Sequence, residues 1–190
     1  MSRAVSYPKI YEAVLDGVNN AFKKYHKWSN GQWLNRAPEG FIQTEIANSL
    51  SKICPYITLE DTVQDILEDS NAEKRGPKPR GSAAGRVDII VWWADLTPRI
   101  LIEVKKAWSN NALTKDARRL MQLLNRGGSL QNGKGFIVVY TAAKKRKTID
   151  DNFENMAYYS GTTLKRRIGP IRRKDDGEVW YWDAGCFSID

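Results

Sequence analysis

The sequence predicts an α/β fold with a mixed central β-sheet flanked by helices, and three observations carry that reading. Residues 86–93 and 99–106 are two apolar strands separated by a short polar turn that ends at Pro98, the pattern of an antiparallel pair. Residues 112–126 then place Leu113, Ala117, Leu120, Met121 and Leu124 at helical spacing. The stretch Gly135-Phe-Ile-Val-Val-Tyr-Thr-Ala142 is nearly unbroken apolar sequence, as expected of a central strand covered on both faces. Strand, helix, strand in that order implies parallel pairing through a right-handed crossover, so the sheet mixes parallel and antiparallel neighbours.

The other elements follow along the chain. Ser6, with Pro8 two positions on, marks a helix start. Tyr11, Val14, Leu15, Val18, Phe22 and Tyr25 continue it as an amphipathic helix to about residue 25. Asn30-Gly31 breaks the chain between Trp28 and Trp33; tryptophans so placed are more often core plugs than platforms for bases. Pro38-Glu39-Gly40 opens a second helix with Ile42, Ile46, Leu50 and Ile53 on one stripe, and Cys54-Pro55 closes it. Glu45 flanks that stripe. Residues 56–59 favour a strand, whereas 62–67 fit either its extension or a short helix, with the acidic pair Glu60-Asp61 between them. Residues 69–85 form a loop rich in glycine, proline and basic residues that leads directly to Asp88. Ser109-Asn-Asn suits a helix cap and Gly127-Gly128 a helix end. Beyond residue 143 come a basic cluster at Lys144 to Lys147, a short helix over 152–160, a basic run over 164–174 and a strand over 178–183.

Composition narrows the classes of function. The 190 residues suffice for one domain with a real core, and no internal repeat is visible. Thirty Lys and Arg against 22 Asp and Glu give a net charge of +8, which suits a polyanionic partner. Cys54 and Cys186 lie far apart, form no metal-ligand spacing and read as buried thiols. The single histidine, His26, excludes histidine-rich zinc sites, Ser-His-Asp triads and paired-histidine ribonuclease chemistry. No apolar run spans a bilayer and the N-terminus lacks the apolar core of a secretory signal, so a cytoplasmic protein with no membrane partner is expected.

The chemistry sits in the two strands at 86–106. Asp88, Glu103 and Lys105 are charged where a core strand carries no charge, and alternation puts Glu103 and Lys105 on one face. With a turn over about 94–98, pairing sets Asp88 opposite residue 103 or 104. Two buried carboxylates need compensation, either from Lys105 in a cross-strand ion pair or from a divalent cation. Mg²⁺ (or Mn²⁺) is typically held by one or two carboxylates with water and substrate phosphate, and the Val104 carbonyl lies between as a further ligand. Lys105 could orient or deprotonate the attacking water or offset transition-state charge. Basic residues at Lys78, Arg80, Arg86, Lys144, Lys145 and Arg146 are candidates for phosphate contact.

Gly85-Arg-Val-Asp88 followed by Ile102-Glu-Val-Lys105 resembles the core of the PD-(D/E)xK nuclease superfamily, the restriction-endonuclease-like group. Here Gly85, Arg86 and Val87 stand where the named motif carries its proline. That core runs helix, three-stranded antiparallel meander, crossover helix and further strand, and residues 38–142 supply the pattern. Residues 1–37 then form an added N-terminal helical segment and 143–190 a basic C-terminal extension of the single domain 1–190. The resemblance implies a Mg²⁺-dependent phosphodiesterase, an endonuclease acting on DNA ahead of RNA. It assigns the metal aspartate to Asp88, the second acid to Glu103, the lysine to Lys105 and the glutamate of the first core helix to Glu45. It also implies a homodimer or a specificity partner. Two alternatives share the scaffold: a non-catalytic nucleic-acid-binding or assembly module, and a nuclease subunit that needs its partner.

Overall fold

The structure, a computed structural model, describes residues 5–72, 85–106, 110–175 and 177–189. Its elements in chain order are α1 (Tyr7–Trp28), α2 (Glu39–Leu50), β1 (Tyr56–Thr62), α3 (Val63–Asp69), β2 (Arg86–Trp92), β3 (Pro98–Lys106), α4 (Asn110–Leu124), β4 (Lys134–Ala143), α5 (Arg146–Ser160), β5 (Thr163–Arg167), β6 (Ile171–Asp175) and β7 (Glu178–Ile189). Single 3₁₀ turns, Leu34–Arg36 and Gly128–Asn132, precede α2 and β4. The strands form one sheet in the order β1-β2-β3-β4-β7-β5, with β6 also on β7. Among the described residues only β3 and β4 pair in parallel, joined by α4, and the other neighbours are antiparallel. The fold is therefore α/β with a mixed central sheet between two helical layers.

Strand alternation sorts the core into those layers. Ile89, Val91, Ile100, Ile102, Val104, Phe136 and Val138 pack towards α1 and α2. Ile90, Leu101, Ile137 and Val139 pack towards α3, α4 and α5. In α4 the buried stripe is Leu113, Ala117, Leu120 and Leu123, while Met121, expected inside, is 40% exposed. Leu123 lies three residues beyond Leu120 and falls on the same face, whereas Met121 is turned about 100° off it. Gly127 and Gly128 follow with φ of 84° and 60°, conformations that favour glycine.

The ambiguous stretch after β1 resolves into strand and then helix. Thr62 stays extended and its hydroxyl accepts from the Asp65 amide at 3.1 Å, capping α3. The C-terminal residues continue the central sheet. β7 pairs with β4 from Gly135↔Ile189 to Ala143↔Tyr181 and sends Trp182, Ala184 and Cys186 into one core layer and Phe187 and Ile189 into the other. The strand expected over 178–183 runs on to Ile189, the helix expected over 152–160 starts at Arg146, and the basic run supplies β5 and β6. Cys54 and Cys186 are buried free thiols. Among the described residues no helix is long and apolar enough to cross a membrane.

Helix α1 meets α2 at Gly17, where an added Cβ would fall 2.4 Å from Ile46 Cα and 2.9 Å from Glu45 O. A backbone so close cannot yield as a side-chain tip would. Gly17→Ala should destabilise by about 1–3 kcal/mol through overpacking, measured by urea unfolding. Gly40→Ala is the matched control. Its Cβ would meet only Gln43 Oε1, at 3.8 Å, so it should be neutral or mildly stabilising.

Candidate metal centre at the end of strand β3

The β2–β3 register runs Ile89↔Ile102, Ile90↔Leu101 and Val91↔Ile100, so its continuation sets Asp88 opposite Glu103. Backbone pairing stops at Ile89, and the Asp88 carboxylate takes over by accepting the Val104 N–H at 2.7 Å. The N–H and C=O of one strand residue face the same neighbour, so the Val104 carbonyl also points to the end of β2. Beyond it β3 keeps only its parallel partner, with Glu103↔Ile137 and Lys105↔Val139.

Glu103 is wholly buried. Its Oε1 accepts from the Arg119 guanidinium of α4, whereas Oε2 accepts no hydrogen bond among the described residues and lies 3.5 Å from Lys105 Nζ. Burial pushes the Glu103 carboxyl up to about 8; the charge of Asp88 adds to the rise, and Arg119 and Lys105 oppose it. Asp88 is also raised, first by burial, against its bond from Val104 and the charge of Lys105, with Glu39 and Glu60 reinforcing the rise. Burial works against the Lys105 ammonium too, but Glu103, Asp88, Asp116 and Glu39 outweigh it and hold its pKa above the ordinary lysine value. Lys105 Nζ lies 3.5 Å from Asp116 of α4 and 3.7 Å from Glu39 of α2. It therefore ties both helical layers to the end of β3.

Glu60 belongs to the same neighbourhood. Leu59↔Ile89 and Asp61↔Val87 leave it facing Asp88, and its φ of 59° is left-handed, a conformation that costs a non-glycine residue on the order of 1 kcal/mol. Glu39 and Glu60 thus act on Asp88, Asp88 and Asp116 act on Glu103, and these acids surround the two cations Lys105 and Arg119. Among the described residues no three His, Cys, Asp or Glu side chains close on a common point as a complete metal cage. The donor set nevertheless fits a hard divalent ion. Two adjacent carboxylates, one with an unbonded buried oxygen, are the share that protein usually contributes to Mg²⁺, the rest being water and substrate phosphate.

The structure does not join Glu45 to this group. Both its oxygens take Lys24 Nζ of α1 at 2.8 Å, and the α2 carboxylate that reaches Lys105 is Glu39. Arg86 is exposed at the start of β2, and its carbonyl accepts from Arg119 at 3.0 Å. Lys144 pairs with Glu178 at 2.7 Å, Arg146 lies 4.0 Å from Asp150, and Lys145 is exposed. Lys78 and Arg80 lie outside the described residues. Trp33 is half-buried against Phe22 and Trp180, but Trp28 is 68% exposed. His26 stacks on Phe22 and bonds Arg173 at 2.6 Å, a structural place. Sequence reasoning missed Glu39, Asp116 and Arg119. Their signal was faint: an acid in the first turn of α2, and an acid–base pair three apart on α4.

Comparison with protein-family models, with curated proteins and with solved structures finds no match to this chain.

The chemistry of the site has a stability signature. With Asp88 raised, its ionised form costs folding free energy at neutral pH, and stability falls as pH rises above the ordinary carboxylate range. Asn keeps an acceptor for the Val104 N–H without the charge. In chelator at neutral pH, Asp88→Asn should melt at or above the wild-type temperature, and Mn²⁺ should raise the wild-type midpoint but not the variant's. A variant that melts far below wild type in chelator would mark Asp88 as a structural residue.

Proposed function

We propose that the chain is a divalent-metal-dependent nuclease of the PD-(D/E)xK type, hydrolysing phosphodiester bonds as an endonuclease, of DNA ahead of RNA. The observation that carries this reading is the pair of sheet-borne carboxylates, Asp88 and Glu103, with Lys105 on the same face and the Glu103 Oε2 left without a hydrogen bond among the described residues. A restriction-endonuclease-like core is supported by the order α2, the β1–β2–β3 antiparallel meander, the crossover helix α4 and the parallel strand β4. The net charge of +8 suits a polyanionic substrate.

Asp88, the Oε2 of Glu103 and the Val104 carbonyl would hold Mg²⁺ or Mn²⁺. Such an ion supplies Lewis acidity, making a water more acidic and polarising the phosphoryl group. The protein's own part is positioning and charge. Arg119 holds Glu103 Oε1 and leaves Oε2 to face Lys105. Lys105, kept charged by the four carboxylates around it, is suited to orient the attacking water and to offset the negative charge that builds on the phosphoryl oxygens. Asp116 and Glu39 brace that ammonium from the two helical layers.

Cleavage of labelled DNA in Mg²⁺ or Mn²⁺ tests the reading. Chelator should abolish it. Glu103→Gln, Asp88→Asn and Lys105→Ala should each reduce it by about 100-fold or more. Glu39→Gln should cost more activity than Glu45→Gln, because Glu39 reaches Lys105 while Glu45 is spent on Lys24. Undiminished cutting by Glu103→Gln would sink the assignment.

A further inference from the structure

The face of α4 turned away from the sheet carries Asn111, Lys115, Arg118 and Gln122 at steps of four, three and four residues, a single line along a helix. With Thr114 and Arg119 they line a groove of about 490 Å³. Arg119 belongs to both places: it lines the groove, and its guanidinium holds Glu103 of the carboxylate site. Lys115 and Arg118 are exposed, and neither is engaged in an ion pair or hydrogen bond among the described residues. That differs from the basic cluster at the start of α5, where Lys144, Arg146 and Lys147 face Glu178, Asp150 and Asp151.

A second feature adjoins the groove. The Thr114 hydroxyl donates to Tyr159 O at 3.2 Å and so sets the last turn of α5 against the groove wall. In that turn Tyr158 and Tyr159 stand 81% and 57% exposed, their rings edge to face with centroids 5.3 Å apart. Tyr158 is the most exposed large apolar side chain among the described residues. Unpaired cations bind phosphate without regard to sequence, and an exposed aromatic ring offers a face to any base free to leave its own stack. In a duplex the base faces are already covered, so a ring lying beside the backbone gains little there.

We propose that this groove holds the backbone of the strand being cut through Lys115 and Arg118, and that Tyr158 stacks on an unpaired base of that strand. The substrate is then nucleic acid with a single-stranded segment next to the scissile phosphate. The identity of that phosphate as scissile rests on the nuclease reading above; the binding does not.

The test reads binding alone. Fluorescence anisotropy of the full chain in chelator would compare labelled oligo(dT), oligo(rU) and a DNA duplex. The reversal Lys115→Glu with Arg118→Glu should weaken all three probes by at least about 10-fold, with a shallower salt dependence. Tyr158→Ala should weaken the single-stranded probes by about 5- to 100-fold and the duplex by less than about 2-fold, while Tyr158→Phe retains wild-type affinity. Comparing oligo(dT) with oligo(rU) tells a deoxyribose strand from a ribose one. The proposal falls if the charge reversal leaves affinity unchanged, or if Tyr158→Ala spares the single strands or weakens the duplex equally. Because binding is read without metal, the two readings fail separately. Cleavage that survives Glu103→Gln removes the assigned site and leaves the groove standing. Wild-type affinity in the groove variants removes the groove and leaves the site.

Discussion

A carboxylate with no exposed surface, Glu103, sits in the interior of the sheet, and the surroundings of β3 are arranged around it. An ion taken out of water carries a penalty of several kcal/mol unless partners replace the lost hydration. Arg119 can serve only if α4 lies against the sheet at one height, and Leu113, Ala117, Leu120 and Leu123 fix that height by packing. Apolar docking of the crossover helix and neutralisation of Glu103 are thus one event. Any change that lets α4 slide loses both together.

Parallel pairing explains why the site lies at this end of β3. A hairpin after β3 would have turned the chain back over the Lys105 end. The crossover through α4 to β4 instead sets that end between the two layers, so that α2 contributes Glu39 and α4 contributes Asp116 to the same ammonium. β2 contributes by stopping early. Its ladder to β3 ends at Ile89, and the freed Val104 N–H is taken by Asp88 rather than by backbone.

Asp88, Glu103 and Lys105 were legible because charge inside an apolar strand breaks a period of two, and such breaks are few. The residues that complete the group were not, because charge on a helix is the ordinary state of its solvent face. Nothing local distinguishes Arg119, which turns inward to Glu103, from Arg118, which stays exposed. Glu45 shows the converse. Its place beside the apolar stripe was readable, but its partner Lys24 comes from another helix 21 residues away, a contact that only packing creates. The end of β7 was hidden for a similar reason. Asp183 looks like a strand terminus until Arg167 and the Gly169 amide are brought to it across the sheet.

Asp183 also supplies the comparison that gives Glu103 its meaning. Both carboxylates are fully buried in adjoining parts of one sheet. Asp183 is satisfied at each oxygen: Arg167 Nε donates to Oδ2 at 2.7 Å and the Gly169 N–H to Oδ1 at 3.0 Å, with Arg167 shared by Asp150 at 2.9 Å. That is a carboxylate buried for structure. Among the described residues Glu103 has a guanidinium on one oxygen and no hydrogen bond on the other, faces a second buried acid, Asp88, and Asp88 in turn faces a glutamate held at a left-handed φ. A fold able to satisfy Asp183 so fully could have satisfied Glu103 as well. A buried carboxylate oxygen without a hydrogen bond among the described residues, a second buried acid and a left-handed backbone thus meet at one end of β3, an arrangement that the proposed cation and phosphate would complete.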